Sequence, residues 1–404
     1  MKLRQAALLI SLSLCLLAED WPEFRGPTGQ GHSTERGLPL TWSESENVRW
    51  KAPIPGRGWS SPAILGDRIW LTSSLNDGGS LHAISLDRES GRVLLDVEVF
   101  RPSGGGPMNQ KNNHASPTPI LEGDRVYVHF GPLGTACLSS DGKVLWKQKL
   151  SYEPQHGPGG SPALHGDLLI INCDGLDTQY VTALDKKTGR VRWKSPRRGS
   201  QAYVTPLMIR VGERSLAIST GAFRTVAYEP ETGKEVWSVR YGQGFSNVPR
   251  PVYAHGLVFL CTGFFEPRLL AVRPDGKGDV TESHVAWSAQ RGVPLTPSPI
   301  VVGNELYMVS DNGILSCLDA KTGKPHYQQR LGGNFSASPV FADGRIYFLN
   351  EDGEASVIAP GTEFKKLATN RIDERTLASF AVAGGSIFIR GERRLYRVVR
   401  PAGR

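Results

Sequence analysis

The sequence predicts an all-β protein: an eight-bladed β-propeller of four-stranded antiparallel blades, with the ring closed by a strand near the N-terminus. Three observations predict it. An Asp-x-x-Thr-Gly turn followed by an aromatic residue recurs along the chain. A small residue and Pro open an apolar stretch at intervals of 40 to 55 residues, the length of a propeller blade. The 46 glycines and 28 prolines of the 404 residues are spread throughout, as many short strands joined by tight turns require.

The Gly turn has its clearest copy at Ala183-Leu184-Asp185-Lys186-Lys187-Thr188-Gly189-Arg190-Val191-Arg192-Trp193. It returns at Ala227–Trp237 and at Cys317–Tyr327. A shortened copy has Asp141-Gly142 and Trp146, a degenerate one Asp87, Ser90-Gly91 and Leu95, and a stretched one Asp275-Gly276 and Trp287. This pattern reads as a strand, a tight turn with Gly at positive φ, and a second strand whose Trp packs between layers.

Upstream of each copy stands a small residue and Pro, then apolar residues, a Gly-polar turn and more apolar residues. Examples are Ser61-Pro62 with Gly66-Asp67, Ser116-Pro117 with Gly123-Asp124, Ser161-Pro162, Thr205-Pro206, Arg250-Pro251, Ser298-Pro299 and Ser338-Pro339. Ser379-Phe380 is a weaker last member. Arg125–Val128 and Arg345–Phe348 have the β-branched and aromatic content of second strands. Asp311-Asn312-Gly313 and Glu351-Asp352-Gly353 read as hairpin turns.

Inner units begin near residues 60, 115, 160, 203, 248, 297, 337 and 378, which makes eight. Outer strands near Leu95, Trp146, Trp193, Trp237, Trp287, Tyr327 and Phe364 make only seven. The missing one is Val48-Arg49-Trp50, expected to pair with the last strand near Leu395–Val398 and remove the free sheet edges. The propeller is thus assigned to residues 48–404. Residues 19–47 are assigned to a segment wrapping the propeller surface, because Trp21–Pro27 is too aromatic for a solvated tail. The loop Arg101–His114 is the longest irregular insertion and lacks the strand-then-helix context of a phosphate loop.

Composition narrows the class. The formal net charge of +8 is mild for this length and does not indicate a nucleic-acid partner. A hydrophobic content of 39% with a mean hydropathy of −0.28 supports a large core and excludes global disorder. Lys2 and Arg4 precede an apolar run from Ala6 to Ala18, too short to span a bilayer. Residues 1–18 therefore read as a secretory signal peptide, and the protein as exported to the periplasm or cell envelope. Leu16 departs from the preferred small residue, and a retained anchor is the alternative. Cys15 is preceded by Leu14, against the lipoprotein pattern. Cys137, Cys173, Cys261 and Cys317 form no C-x-x-C pair, and read as buried thiols with disulfides left open. No later stretch has the length and apolarity of a transmembrane helix. The chain is expected to be a monomer.

Loops entering the innermost strands meet around the central channel. They carry the candidate ligand-binding residues His114, Ser116, His156, Ser161, Tyr203, Thr205, Arg250, Thr296, Asn334, Ser336 and Ser338. Such a ring of donors suits a small polar ligand, a glycan or a peptide. The alternative is that these groups cap strand ends. Arg250 stands where other repeats have Ser or Thr, and if buried it needs an acidic partner or an anionic ligand. His114 and His156 lack the partners of a metal site or a general base, and no metal site is assigned. Arg390, Arg393, Arg394, Arg397, Arg400 and Arg404 read as a solvated face, or one that meets acidic envelope polymers.

The motif Ala-x-Asp-x-x-Thr-Gly-x-x-x-Trp at 183–193 resembles the tryptophan-docking motif of the pyrroloquinoline-quinone (PQQ)-like β-propeller superfamily, over roughly residues 48–400. Trp21–Pro27, Asn113–Thr118 and Gly332–Ser336 look like an exported subgroup found in planctomycete-type bacteria. The superfamily includes quinoprotein alcohol dehydrogenases and the lipoprotein that scaffolds outer-membrane protein assembly, and the fold does not choose between them. The enzyme reading implies PQQ beside Ca²⁺, an Asp base and often adjacent cysteines. The sequence has no adjacent cysteines, and its candidates Asp174, Asp177 and Asp311 fall in hairpins. The expectation is thus a non-catalytic binding or scaffold module for an envelope protein, a glycan or a small polar ligand. A PQQ-dependent alcohol or sugar dehydrogenase is the alternative.

Overall fold

A computed structural model describes residues 19–104, 106 and 108–400. The signal peptide assigned to residues 1–18, Gly105 of the inserted loop and Arg404 lie outside the described residues. Eight sheets form the propeller, with inner strands Ala63–Leu65, Ile120–Glu122, Ala163–His165, Leu207–Val211, Val252–Ala254, Ile300–Val302, Val340–Ala342 and Ala381–Ala383. These define blades 1 to 8, each with strands A to D from the axis outward. In blade 8 the D strand is Val48–Pro53, antiparallel to Arg394–Val399. Ala52 faces Leu395 and Val48 faces Val398, so the ring closes as the sequence predicts.

The recurring Trp explains how one blade holds the next. The Trp193 indole N–H donates to the Pro230 carbonyl at 2.8 Å, and its ring lies against Gly233 of the following blade. A Cβ at Gly233 would come 2.4 Å from that ring, at a φ of +72°. Trp146 docks on Lys186 and Gly189, and Trp287 on Ala320 and Gly323, in the same way. Trp50 repeats the contact on Arg88 and Gly91 of blade 1, so the closing seam has the chemistry of the other joints. The Asp of the motif closes the turn: the Asp185 carboxylate accepts from the Lys187 and Thr188 amides.

Three details differ from the sequence reading. In blade 2 the residue pair before strand A is Thr118-Pro119, not Ser116-Pro117, because strand A begins at Ile120. In blade 7 the D strand is Lys365–Arg371 and Ala368 holds the Trp place, while Phe364 precedes it and packs on Tyr327. The stretched copy contains a four-residue helix, Thr281–His284, and a short strand, Gly278–Asp279, that extends the blade 4 sheet. Among the described residues no helix is long and apolar enough to cross a membrane.

Residues 19–47 do more than wrap the surface. Trp21 and Ile64 exchange main-chain bonds, the Leu121 amide donates to Pro22, and the Phe341 amide to Gly31. These partners lie on inner strands of blades 1, 2 and 7, so residues 21–33 plug the channel. Trp21 and Arg25 are fully buried. The segment comes in from the side of the A–B turns, where Asp20 accepts from the Gly66 amide and Glu35 from the Gly384 and Gly385 amides. It leaves past Asp343 and Asn370 of blade 7 to reach Val48. An eight-blade ring leaves an axial space that its own short inner strands do not fill, and burying Trp21 there is favourable.

The basic C-terminal set is not one solvated face. Arg390 is buried and donates to the Ser60 and Thr72 carbonyls, and Arg397 reaches Glu89. Both lie on the face of the blade 8 sheet that packs on blade 1, whereas Arg394 pairs with Glu374. The four cysteines beyond Cys15 are buried and unbonded to each other.

His129, at the end of strand B in blade 2, is buried with its Nδ1 2.8 Å from the Thr135 hydroxyl. Burial lowers its pKa from 6.5 to about 3. It stays neutral in the fold while the unfolded chain takes up a proton. Its contribution is therefore complete above pH 6.5 and is lost as pH falls from there towards about 3. Between about pH 6 and pH 4, wild type is expected to lose about 1.4 kcal/mol more per pH unit than His129→Gln in chemical denaturation. Parallel slopes would refute this.

Candidate functional site

The face opposite the A–B turns carries the D–A loops and the B–C hairpins, and it holds most of the candidate residues. A ring of hydroxyls runs beneath it. The Ser61 amide donates to Thr118, Thr118 to Ser161, and Ser161 to Thr205, at 2.9 to 3.0 Å. The Arg250 amide donates to Ser298, Ser298 to Ser338, Ser338 to Ser379, and Ser379 back to Ser61. Each hydroxyl caps the strand entry of its neighbour, which is why Ser or Thr precedes Pro in nearly every repeat. Ser161, Thr205 and Ser338 are thereby engaged in blade-to-blade joints. The ring is interrupted once, between Thr205 and Arg250, because blade 5 has no hydroxyl at that place.

Arg250 instead sends its side chain to the plug. It is buried, and its guanidinium donates to Phe24 O at 2.7 Å and Pro206 O at 3.2 Å and lies 3.4 Å from Glu23. The acidic partner that burial demands is thus supplied by the N-terminal segment. Burial pushes the Glu23 carboxyl above its usual range, against the pull of Arg250. Arg25 lies nearby and donates to Gln30 O and Pro299 O; burial, reinforced by Arg250, lowers its pKa to about 9.

The remaining candidates belong to the loops over the ring. The inserted loop reaches across it, with Lys111 2.7 Å from Glu351 of blade 7 and the Asn112 amide on the His156 carbonyl of the loop before blade 3. Ser116 closes this loop on Asn112, and buried His114 sits within it. The His156 ring lies 5.9 Å from the ring of Tyr203. Ser336 donates to Glu351, the Asn334 carbonyl accepts from the Glu351 amide, and the Thr296 amide donates to Asp311. Blades 3 and 7 stand opposite each other, so these residues surround the mouth without converging on one point.

The same face has a feature that the sequence reading passed over. Leu176, Phe223, Phe264 and Phe265 are exposed at the hairpin tips of blades 3, 4 and 5, with Phe265 69% and Phe264 54% accessible. Phe245 packs against both Phe264 and Phe265. Phe223 and Phe265 have φ of 69° and 82°, a region where bulky residues are strained. Buried Asn247 ties the tips together by donating to Gly221 O at 2.6 Å and accepting from the Gly263 amide. Beneath them Arg197 grips Asp174, Nε to Oδ1 at 2.8 Å, and donates to the Ser219 hydroxyl. Beside Phe223 lies an open groove of about 1130 Å³ lined by Arg197, Arg198, Arg224 and Arg240, with Glu282 as its acidic member. Aromatic residues at the hairpin tips, Phe223 and the Phe264-Phe265 pair, were the available signal.

The carboxylates that a quinone–calcium centre needs are committed elsewhere. Asp174 is in the buried ion pair, Asp177 accepts from the Glu153 amide, and Asp311 from the Leu295 and Thr296 amides. Among the described residues no three His, Cys, Asp or Glu side chains are placed to hold a metal ion. The residues present do not fit such a centre.

Comparison with known proteins agrees with the architecture. The chain is 24% identical over 359 residues to the outer membrane protein assembly factor BamB of Bordetella pertussis, covering 83% of this chain and 84% of that one. It is 28% identical over 219 residues to BamB of Alkalilimnicola ehrlichii, covering 54% and 51%. Among solved structures, BamB from Moraxella catarrhalis superimposes with a TM-score of 0.61 at 12% identity, covering 87% of this chain and 99% of that one. A europium-containing methanol dehydrogenase gives 0.68 at 11% identity, covering 94% and 89%. Both likenesses establish the fold. A family profile described as outer membrane protein assembly factor BamB matches residues 33–172, 177–296 and 271–363, and the chain belongs to that family of PQQ-like repeat propellers.

Proposed function

We propose that this protein is an exported, non-catalytic scaffold of the cell envelope that binds another envelope protein through the hairpin tips of blades 3 to 5. The observation that carries the reading is the exposed row Leu176, Phe223, Phe264 and Phe265, two of whose aromatics sit in left-handed backbone. Free in water, such residues pay strain and gain no burial; against a partner they become anchors. The relatives named as assembly factors support a partner of this class.

The test is a photo-crosslinking residue at position 265 in cells, with the adduct identified by mass spectrometry. An adduct with one envelope protein is expected, reduced at least tenfold by Phe223→Ser together with Phe264→Ser, with the melting temperature kept. Crosslinking unchanged by these substitutions, or stoichiometric binding of PQQ with Ca²⁺ to the purified protein, would overturn the reading.

A further inference from the structure

The plug shows what the inner wall of this propeller binds. In a short strand A, alternate residues turn their main-chain groups towards strand B or away from it. The middle residue faces the axis. In blade 1 this is Ile64, which exchanges both bonds with Trp21 at 2.8 and 2.9 Å. In blade 2 the Leu121 amide donates to Pro22. In blade 7 Phe341 donates to Gly31 and accepts from Ser33. Extended chain is thus added to the inner edges, and successive plug residues, Trp21 and Pro22, serve successive blades.

After Pro22 the plug turns inward at Glu23 and abandons this track. The equivalent middle residues of the next two blades are Leu164, which faces Leu169, and Met208, which faces Ala217. Among the described residues, neither takes a main-chain bond from the plug. Both instead line a cavity of about 420 Å³ with Pro22, Leu121 and the Arg250–Glu23 pair. Its size is that of a ligand site; Leu164 and Met208 give it apolar side chains beside the open main-chain edge, while Thr28 and Glu122, the latter paired with Lys186, add polar wall.

We propose that this vacant arc is a peptide-binding site: it takes a short, extended, apolar segment of a partner chain, which adds to the inner edges of blades 3 and 4 as the plug adds to blades 1, 2 and 7. Because Glu23 already meets Arg250, the segment needs no charge there. The site lies on the A–B side of the ring, away from the aromatic hairpin tips, and does not depend on their role.

The full-length protein is labelled with ¹³C in its methionine methyls, four in the sequence, and titrated with acetyl-Val-Leu-Val-amide. Met208 is in the cavity, Met308 in the core and Met108 in the inserted loop. A saturable shift of Met208 alone is expected. The same peptide methylated on its Leu nitrogen should bind at least tenfold more weakly, since it keeps its side chains and loses one edge bond. Leu164→Pro, which removes an inward amide and leaves the A–B ladder intact, should weaken the unmethylated peptide to a similar degree. No Met208 shift, equal binding of the methylated peptide, or a shift at Met108 in place of Met208 would each overturn the proposal. The methylated peptide keeps the test decisive if the proline variant does not fold.

Discussion

Asp174→Ala is expected to destabilise the protein by about 3–5 kcal/mol, the cost of leaving a buried charge without its partner. Asp174 and Arg197 have side-chain exposures of 1% and 2%. Arg197 joins the end of blade 3 to Ser219 of blade 4 and lies beneath Gly221, where a Cβ would meet its guanidinium at 2.8 Å. Loss of Asp174 strands this guanidinium and loosens the support of the Phe223 tip. Urea denaturation should show the loss, and hydrogen exchange should place the first protection losses at residues 219–224. Replacing both members, Asp174→Leu with Arg197→Met, is expected to recover most of the stability, because two well-packed apolar groups carry no desolvation cost. Equal damage in single and double variants would show that the pair acts through something other than its charges.

Arg250→Met is expected to cost about 2–4 kcal/mol, on the scale of a buried charge pair broken from one side. The change removes donors from Phe24 O and Pro206 O and leaves Glu23 alone in its recess. Its effect should be concentrated on the plug. Limited trypsin digestion should cut after Arg25 and Arg36 well before the blades are attacked, whereas wild type keeps Arg25 protected by burial. Glu23→Gln keeps a hydrogen-bonding group beside the guanidinium and should lose less. A trypsin pattern for Arg250→Met identical to that of wild type would show that the plug is held without this contact.

The propeller was legible because its signals are local and repeated. The Thr-Gly turn, the Trp that follows and the Pro before each inner strand lie within one blade, and counting them gave both the blade number and the strand that closes the ring. Blade 2 misled because Ser116-Pro117-Thr118-Pro119 offers two adjacent choices, and only the hydroxyl ring selects Thr118. The plug was illegible for a different reason. Trp21 pairs with Ile64 but also shares its surroundings with blades distant in sequence, and nothing in residues 19–33 alternates as a strand should. At the candidate site, Arg250 was read as needing an acidic partner or an anionic ligand once buried, and Glu23 could be found only from the fold. The exposed phenylalanines were passed over because a search for polar donors does not see apolar anchors.

The closing seam has a consequence for how the chain is made. Val48 finds its partner only when Val398 has been synthesised, and pairings so distant in sequence form slowly. Until then the growing polypeptide carries an unmatched ribbon at its front and another wherever synthesis has reached. A product cut short before Leu395 never conceals them. Completeness of translation is therefore written into the geometry, and a truncated copy displays the exposed margins that chaperones and proteases act upon.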